Sequence, residues 1–189
     1  MVMEAPEQAE FVREHLGPAL ARAGLGNVEV FCWDHNCDRM EYALAVLADP
    51  EARRYLSGSA WHLYAGEISA LAAVHAAHPD MKLYFTEQWV GSDGQFGPDL
   101  LWHARNVLIG SLCNWSAAVF EWNLASDPWC GPHTAGGEAR CVGALTIGDG
   151  ISRNVAYYVI AHAAKFVRPG SVRIFSRADA PLHSVAFLT

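Results

Sequence analysis

The chain has 189 residues, of which 52% are hydrophobic, and its formal net charge at pH 7 is −7. This length fits one domain with a substantial buried core. The acidic balance, with 13 scattered Lys and Arg residues, excludes nucleic acid as the expected partner. No apolar run reaches the ~18 residues of a membrane span, and the first residues lack the pattern of a signal peptide, so we expect no transmembrane segment and leave the compartment open.

The cysteines do not predict a disulfide framework or a metal site. There are five of them, an odd number in a chain of this length, although Cys130 and Cys141 could pair across a loop. Cys32, His35 and Cys37 are three possible ligands, but their spacing matches no known zinc site. We therefore predict no metal.

Hydrophobic periodicity and glycine or proline stops predict alternating helices and strands in the first half of the chain. In chain order the predicted elements are a helix over Glu7–Ala23, a strand over Asn27–Asp34, helices over Arg39–Leu47 and from Asp49, a strand over Ser59–Tyr64, a helix over Glu67–His78 and a strand over Lys82–Glu87.

The second half repeats the alternation and then changes character after Pro169-Gly170. The predicted elements are a helix from Pro98 to Cys113, a β-prone segment over Trp115–Asn123, a loop over Asp127–Ile151, a helix over Asn154–Val167, and two antiparallel strands over Ser171–Arg177 and Ser184–Leu188.

Strands that alternate with helices predict parallel βαβ units, and both a doubly wound sheet and a barrel satisfy that pattern. No glycine-rich phosphate loop follows a strand, so a nucleotide site is not supported. What recurs instead is a polar group at the end of each strand. These groups are Asp34 with Asn36, His62 with Tyr64, Glu87 with Gln88, and Glu121 with Trp122 and Asn123.

Such residues gather at one face of a (β/α)8 barrel, where active sites lie. Glu87 is the leading candidate, because it ends the run Lys82–Glu87 shortly before the loop Gly91-Ser92-Asp93-Gly94. An ordinary charge at a strand end is the alternative interpretation of Glu87.

The tryptophans suggest the kind of ligand. Sugar rings present C–H faces to aromatic planes, so carboxylates interleaved with tryptophans suit a carbohydrate. The rings considered for this role are Trp33, Trp61, Trp89, Trp122 and Trp129, of which Trp122 is favoured as a site residue. We predict that Trp102 and Trp115 belong to the core.

Glycosidic cleavage needs two carboxyl groups, one to attack or activate water and one to protonate the leaving oxygen. Glu87 is a credible nucleophile. No upstream glutamate ends a strand, and the pattern makes Glu121 a neighbour of the site rather than the proton donor.

At this point the sequence resembles glycoside hydrolase family 30, and in particular its acid β-glucosylceramidase-like members. The resemblance is carried by ordered blocks at Glu7–Leu20, Ala48–Ala52, Trp61–Tyr64, Phe85–Gly91, Glu121–Ala125 and Ala164–Ser171.

The resemblance implies a retaining β-glycosidase on a (β/α)8 barrel with an attached β-sandwich, and no cofactor. It makes Glu87 the catalytic nucleophile on the seventh strand, His62 and Tyr64 substrate-binding residues on the sixth, and Trp122 a substrate-contacting ring on the eighth. Asp34, on the fifth strand, supports the site. Where family members have a Trp between the His and the Tyr, this chain has Leu63.

The family's acid/base glutamate lies in an Asn-Glu-Pro motif on the fourth strand, which has no counterpart here. The resemblance therefore implies an α/β chain that forms the C-terminal half of a TIM barrel, from helix four to helix eight, over residues 1–168. The start of a truncated β-sandwich would follow over residues 169–189. A missing proton donor costs roughly 10²–10⁴-fold in rate, so we expect negligible turnover by the chain alone.

The implied substrate is a β-glucoside, with glucosylceramide favoured over the β-1,6-glucans and xylans that other members cleave. Three alternatives stay open: a sugar-binding module, a half-barrel completed by a separate N-terminal half, and a truncated product without function. Family members are often secreted or lysosomal, which leaves the compartment of this chain undecided.

Overall fold

A computed structural model describes residues 3–176 and 182–189. The helices of these residues are α1 in three consecutive segments (Ala5–Glu10, Phe11–Leu16 and Gly17–Arg22), α2 (Met40–Ala48), α3 (Pro50–Arg53), α4 (Ala70–Ala77), α5 in three consecutive segments (Phe96–Trp102, His103–Ile109 and Gly110–Cys113) and α6 (Val155–Ala164). The middle segments of α1 and α5 have π-helical hydrogen bonding.

The strands are β1 (Phe31–Cys37), β2 (Gly58–Gly66), β3 (Lys82–Glu87), β4 (Val90–Gly91), β5 (Ser116–Val119), β6 (Ala125–Ser126), β7 (Cys141–Val142), β8 (Leu145–Ile147), β9 (Ile151–Arg153), β10 (Val172–Ile174) and β11 (Ala186–Leu188). The chain divides into two compact units, one of Met1–Tyr84 with Asn114–Ala117 and the other of Phe85–Cys113 with Ala118–Thr189. The division passes through β3 and β5.

The first unit is built on a sheet with the strand order β1-β2-β3-β5, to which β3 and β5 contribute their initial residues. β1 and β2 pair in parallel, with Phe31 opposite Gly58. Helices α2 and α4 bury an apolar face, because alanine, valine and leucine recur at helical spacing in both. Large side chains that are almost fully buried in this unit include Cys32, Val46, Leu47, Trp61, Leu71, Val74 and Leu83.

A glycine allows two strands of this sheet to lie close together. A Cβ atom on Gly58 would lie 1.8 Å from the backbone oxygen of Lys82, which has no freedom to move away. The backbone N–H of Lys82 donates to the carbonyl of Ser57 at 2.9 Å, so the contact is fixed by pairing. Only glycine fits this position.

The second unit has its own apolar core, formed by Val90, Leu108, Val155, Ala156 and Val159. Short strands surround it: β4 pairs antiparallel with β7, β6 pairs parallel with β8, and β8 pairs antiparallel with β9. β10 and β11 form a separate antiparallel pair.

The structure confirms the predicted mixed α/β fold with parallel strands and corrects several details. The first strand is Phe31–Cys37, which begins and ends later than the predicted Asn27–Asp34. The segment predicted as a loop over Asp127–Ile151 contains β7, β8 and the start of β9. These strands have two or three residues each, too few for a visible alternation of apolar and polar residues.

At the C-terminus, β10 and β11 are antiparallel as predicted, and Arg177, the last residue of the first predicted strand, lies outside the described residues. The cysteines are all free, so the open alternative of a Cys130–Cys141 disulfide is not realised. In the described residues no helix is long and apolar enough to cross a membrane. The predicted domain boundary at residues 168 and 169 stays a prediction.

Candidate active site

A β-bulge in the first unit places Asp34. The register between β1 and β2 shifts between Trp33 and His35, and the backbones of Trp33 and Asp34 have φ angles of 73° and 54°. Non-glycine residues rarely adopt this left-handed region, and bulges recur where a strand must redirect a side chain. The carboxylate of Asp34 thereby reaches the imidazole of His62, with Oδ1 and Nε2 3.2 Å apart.

His62 is buried, whereas the side chain of its partner Asp34 is exposed. The ring of His62 also lies edge-on to the ring of Tyr64, with centroids 6.0 Å apart. The side-chain oxygen of Asn36 accepts a hydrogen bond from the backbone N–H of Tyr64 at 3.1 Å. The first unit thus brings together three of the predicted site residues, Asp34, His62 and Tyr64.

The second unit holds the other two, Glu87 and Trp122. Glu87 is the last residue of β3. Trp122 follows β5 and forms a parallel bridge with Trp89, and its backbone N–H donates to the carbonyl oxygen of Gln88 at 2.9 Å. The backbone of Trp122 is therefore hydrogen bonded to the residue directly after Glu87. Trp122 is 46% exposed and lines a surface cavity, so it is available to a ligand.

Three other tryptophans differ in burial from what the sequence predicted. Trp61, considered as a sugar-contacting ring, is 0% exposed and donates its indole N–H to Ser59 Oγ at 2.9 Å, so it belongs to the core. Trp102 and Trp115, predicted as core, are 42% and 50% exposed, and Trp115 stacks on His75 with centroids 4.0 Å apart. Amphipathic spacing alone does not show which face of an element will be covered.

No sequence pattern predicts a role for His103. In the second unit its Nδ1 lies 2.9 Å from both carboxylate oxygens of Glu121. The side chains of the pair are only 7% and 2% exposed. Burial raises the pKa of the Glu121 carboxyl, and the hydrogen bond and charge of His103 oppose that rise. A histidine in the middle of a helical segment gives no pattern that would reveal such a partner.

A cavity of about 1060 Å³ lies in the second unit between the residues that follow β5 and one face of α6. Its walls are mainly apolar, and they include Val119, Phe120, Ile160, Ala161 and Ala164. Thr86, Glu121 and Asn123 contribute polar groups. Within the described part of the chain, no group of three His, Cys, Asp or Glu side chains is arranged to hold a metal ion.

The chain is an α/β protein with a four-stranded sheet, in which β1 and β2 run parallel and Asp34, His62 and Glu87 lie on the strands β1, β2 and β3. The chain belongs to glycosyl hydrolase family 30: the model of that family's TIM-barrel domain matches residues 1–167. The predicted resemblance to this family is therefore confirmed.

Known relatives place the chain within part of a longer domain. It is 37% identical over 171 residues to an endo-1,6-β-D-glucanase of Aspergillus fumigatus, covering 88% of this chain and 33% of that protein. It is 32% identical over 190 residues to a putative glucosylceramidase of Caenorhabditis elegans, covering 96% and 37% of the two chains. The chain thus spans about a third of the length of these relatives.

A solved endo-β1,6-glucanase structure superposes with a TM-score of 0.90 at 35% identity. The match covers 98% of this chain and 44% of that one. The fold is therefore that of part of a family 30 TIM-barrel domain, as the sequence predicted.

Proposed function

We propose that this chain carries the nucleophile of a retaining β-glycosidase. Glu87 attacks the anomeric carbon of a β-glucoside, the glycosidic bond breaks, and a covalent glycosyl-enzyme forms that water then hydrolyses. The observation that carries the proposal is the position of Glu87 at the end of β3, directly before Gln88, whose carbonyl accepts the backbone N–H of the exposed Trp122. No cofactor takes part in these steps.

The other predicted site residues have supporting roles in this proposal. The imidazole of His62 is fixed by Asp34 and lies against Tyr64, an arrangement suited to orienting sugar hydroxyls. The indole of Trp122 provides a platform for a sugar ring.

The proton donor is proposed to come from outside this chain. Glu121 is the other glutamate close to a strand end, but its carboxylate is buried and occupied by His103. It therefore has no free path to a leaving-group oxygen. We propose that the first half of the barrel, on a segment or a polypeptide beyond these residues, supplies the second carboxyl group.

One feature supports such a partner. The cavity beside α6 presents an apolar surface next to β5, as a following strand and helix of a barrel would require.

For the substrate we propose a β-1,6-linked glucan. The support is the 37% identity to the fungal endo-1,6-β-D-glucanase, together with the superposition on a solved endo-β1,6-glucanase. Glucosylceramide, which the sequence analysis favoured, is the second candidate. It is supported by the 32% identity to the putative glucosylceramidase.

Trapping the covalent intermediate tests the nucleophile directly. In 2-deoxy-2-fluoro-β-glucosyl fluoride the fluoride departs without protonation, so the first step needs no acid/base group. We expect the purified chain to gain one fluoroglucosyl group, located on Glu87 by peptide mass spectrometry.

The matched controls are Glu87→Gln, which removes the nucleophile, and Glu138→Gln, which changes an exposed glutamate that is ion paired with Arg140. Labelling should disappear in the first variant and persist in the second. Labelling of another residue, or equal labelling of both variants, would show that Glu87 is not the nucleophile.

A further inference from the structure

The buried contact between His103 and Glu121 joins the middle segment of α5 to the residues that follow β5. Nδ1 of His103 is equidistant, at 2.9 Å, from the two carboxylate oxygens. His103 is also the first residue of the π-helical segment His103–Ile109. Such segments are rare, and they recur at functional sites.

A contribution to folding stability does not by itself explain this buried contact. Removing a carboxylate and an imidazole from water carries a large desolvation penalty, and well-packed apolar replacements of buried ion pairs are often neutral or stabilising. The side chains of His103 and Glu121 are only 7% and 2% exposed, so this penalty applies here, and burial accordingly raises the pKa of the Glu121 carboxyl. We therefore expect a functional role for the pair.

A short path links the pair to the proposed active site. Glu121 directly precedes Trp122, whose backbone N–H donates to the carbonyl of Gln88, the residue after Glu87. Fixing the carboxylate of Glu121 thus fixes the backbone from which the exposed indole projects. Active-site side chains need such support, because a displacement of ~1 Å can remove most of their effect.

We propose that His103 and Glu121 are positioning residues, which hold the indole of Trp122 in the orientation that receives a sugar ring. This inference rests on the proposed function in assigning a sugar to Trp122, but the ordering of the indole can be measured without any sugar. Neither residue is proposed to touch the substrate.

The test compares an apolar pair with a hydrogen-bonded one. The double variant His103→Leu with Glu121→Leu removes the contact and keeps the site filled, while Glu121→Gln retains an acceptor for His103. The readout is the ¹H,¹⁵N signal of the Trp122 indole, identified by its loss in Trp122→Phe, together with its heteronuclear NOE and the thermal unfolding midpoint. Glu29→Gln, which breaks the exposed ion pair with Lys82, is the matched control.

We expect the double-leucine variant to unfold at the same temperature as the parent or a higher one, yet to show a shifted Trp122 indole signal with a reduced NOE. Glu121→Gln should keep the parent signal, and so should Glu29→Gln. If the double variant keeps the parent indole signal and NOE, the pair has only a structural role and the proposal is wrong. If the double variant does not fold, Glu121→Ala is measured by the same criterion.

A sugar titration then separates this proposal from the proposed function. A β-1,6-linked gluco-oligosaccharide should shift the Trp122 indole signal of the parent chain. The double-leucine variant should bind this sugar about two- to tenfold more weakly, because its disordered indole must be immobilised on binding. An indole that is ordered by the pair but never responds to the sugar contradicts the proposed function and leaves the ordering role intact.

Discussion

At the scale of single residues, the site combines groups that a sequence reveals with groups that it conceals. Glu87 ends a β-prone run and precedes a glycine-rich loop, so its position follows from local pattern. The contact between Asp34 and His62 depends on a bulge that shifts the register between two strands. Register is a property of paired strands, and one strand's sequence does not contain it.

The raised pKa of Glu121 gives a stability prediction with a definite sign. In the folded chain this carboxyl keeps its proton to a higher pH than in the unfolded chain. Stability therefore falls as pH rises from the unfolded-state pKa through the folded-state pKa, because the native state binds more protons over that interval. Glu121→Gln has no such group, so the stability of the parent relative to this variant should decline from acidic to neutral pH.

Urea unfolding of both proteins at a series of pH values measures that difference. Comparing the two proteins at each pH cancels the titration of carboxyl groups that they share. A difference that is constant, or that grows in favour of the parent as pH rises, would contradict the prediction. His103 faces Glu121 directly, so the same series on His103→Gln shows how much of the effect belongs to the pair.

At the scale of elements, the bounds of the helices agree closely with those predicted from the sequence, and the bounds of the strands agree less well. The short helix α3 begins where predicted because Asp49 accepts hydrogen bonds from the backbone N–H groups of Glu51 and Ala52, at 3.0 and 2.9 Å. This cap is local, so four neighbouring residues suffice to predict it. β6 and β7 pair with β8 and β4, which lie far from them in the chain. β8 and β9 form a local hairpin, but each has only three residues, so the sequence predicts most of this region as a loop.

Gly58 provides a prediction at this scale. Gly58→Ala would drive a methyl group into the backbone of Lys82, and overpacking of this kind typically costs about 1–3 kcal/mol. We expect that loss in chemical unfolding experiments. Gly26→Ala is the matched control, because a Cβ atom there meets nothing within 4 Å.

The control should stay within about 0.5 kcal/mol of the parent, as most surface substitutions do. Equal effects of the two substitutions would show that the closeness of Gly58 to Lys82 is not maintained in solution.

At the scale of the whole molecule, the proposed function requires a second carboxyl group from outside these residues. The chain matches about a third of its curated relatives and 44% of a solved glucanase chain. We predict that it binds the portion of the Aspergillus fumigatus relative that lies outside the matched segment, and that the resulting complex hydrolyses β-1,6-glucan. Co-expression, co-purification and release of reducing sugar measure the outcome.

Two controls sharpen this experiment. Glu87→Gln should preserve the complex and abolish hydrolysis. Ile160→Lys, which places a charge in the apolar cavity beside α6, should weaken co-purification, whereas Ile151→Lys, at an exposed site outside that cavity, should not. Co-purification unaffected by Ile160→Lys would exclude the cavity as the docking surface. A chain that binds the sugar but shows no hydrolysis even with its partner would instead favour a sugar-binding module.

The alternation of helices and strands, the polar residues at the strand ends and the relationship to family 30 could all be predicted from the sequence. They follow from local periodicity and from short motifs such as the one around Glu87. The burial of Trp61, the exposure of Trp102 and Trp115, and the contact between His103 and Glu121 are visible only in the folded chain. Burial and side-chain pairing depend on which elements pack together, and residues far apart in the chain set that packing.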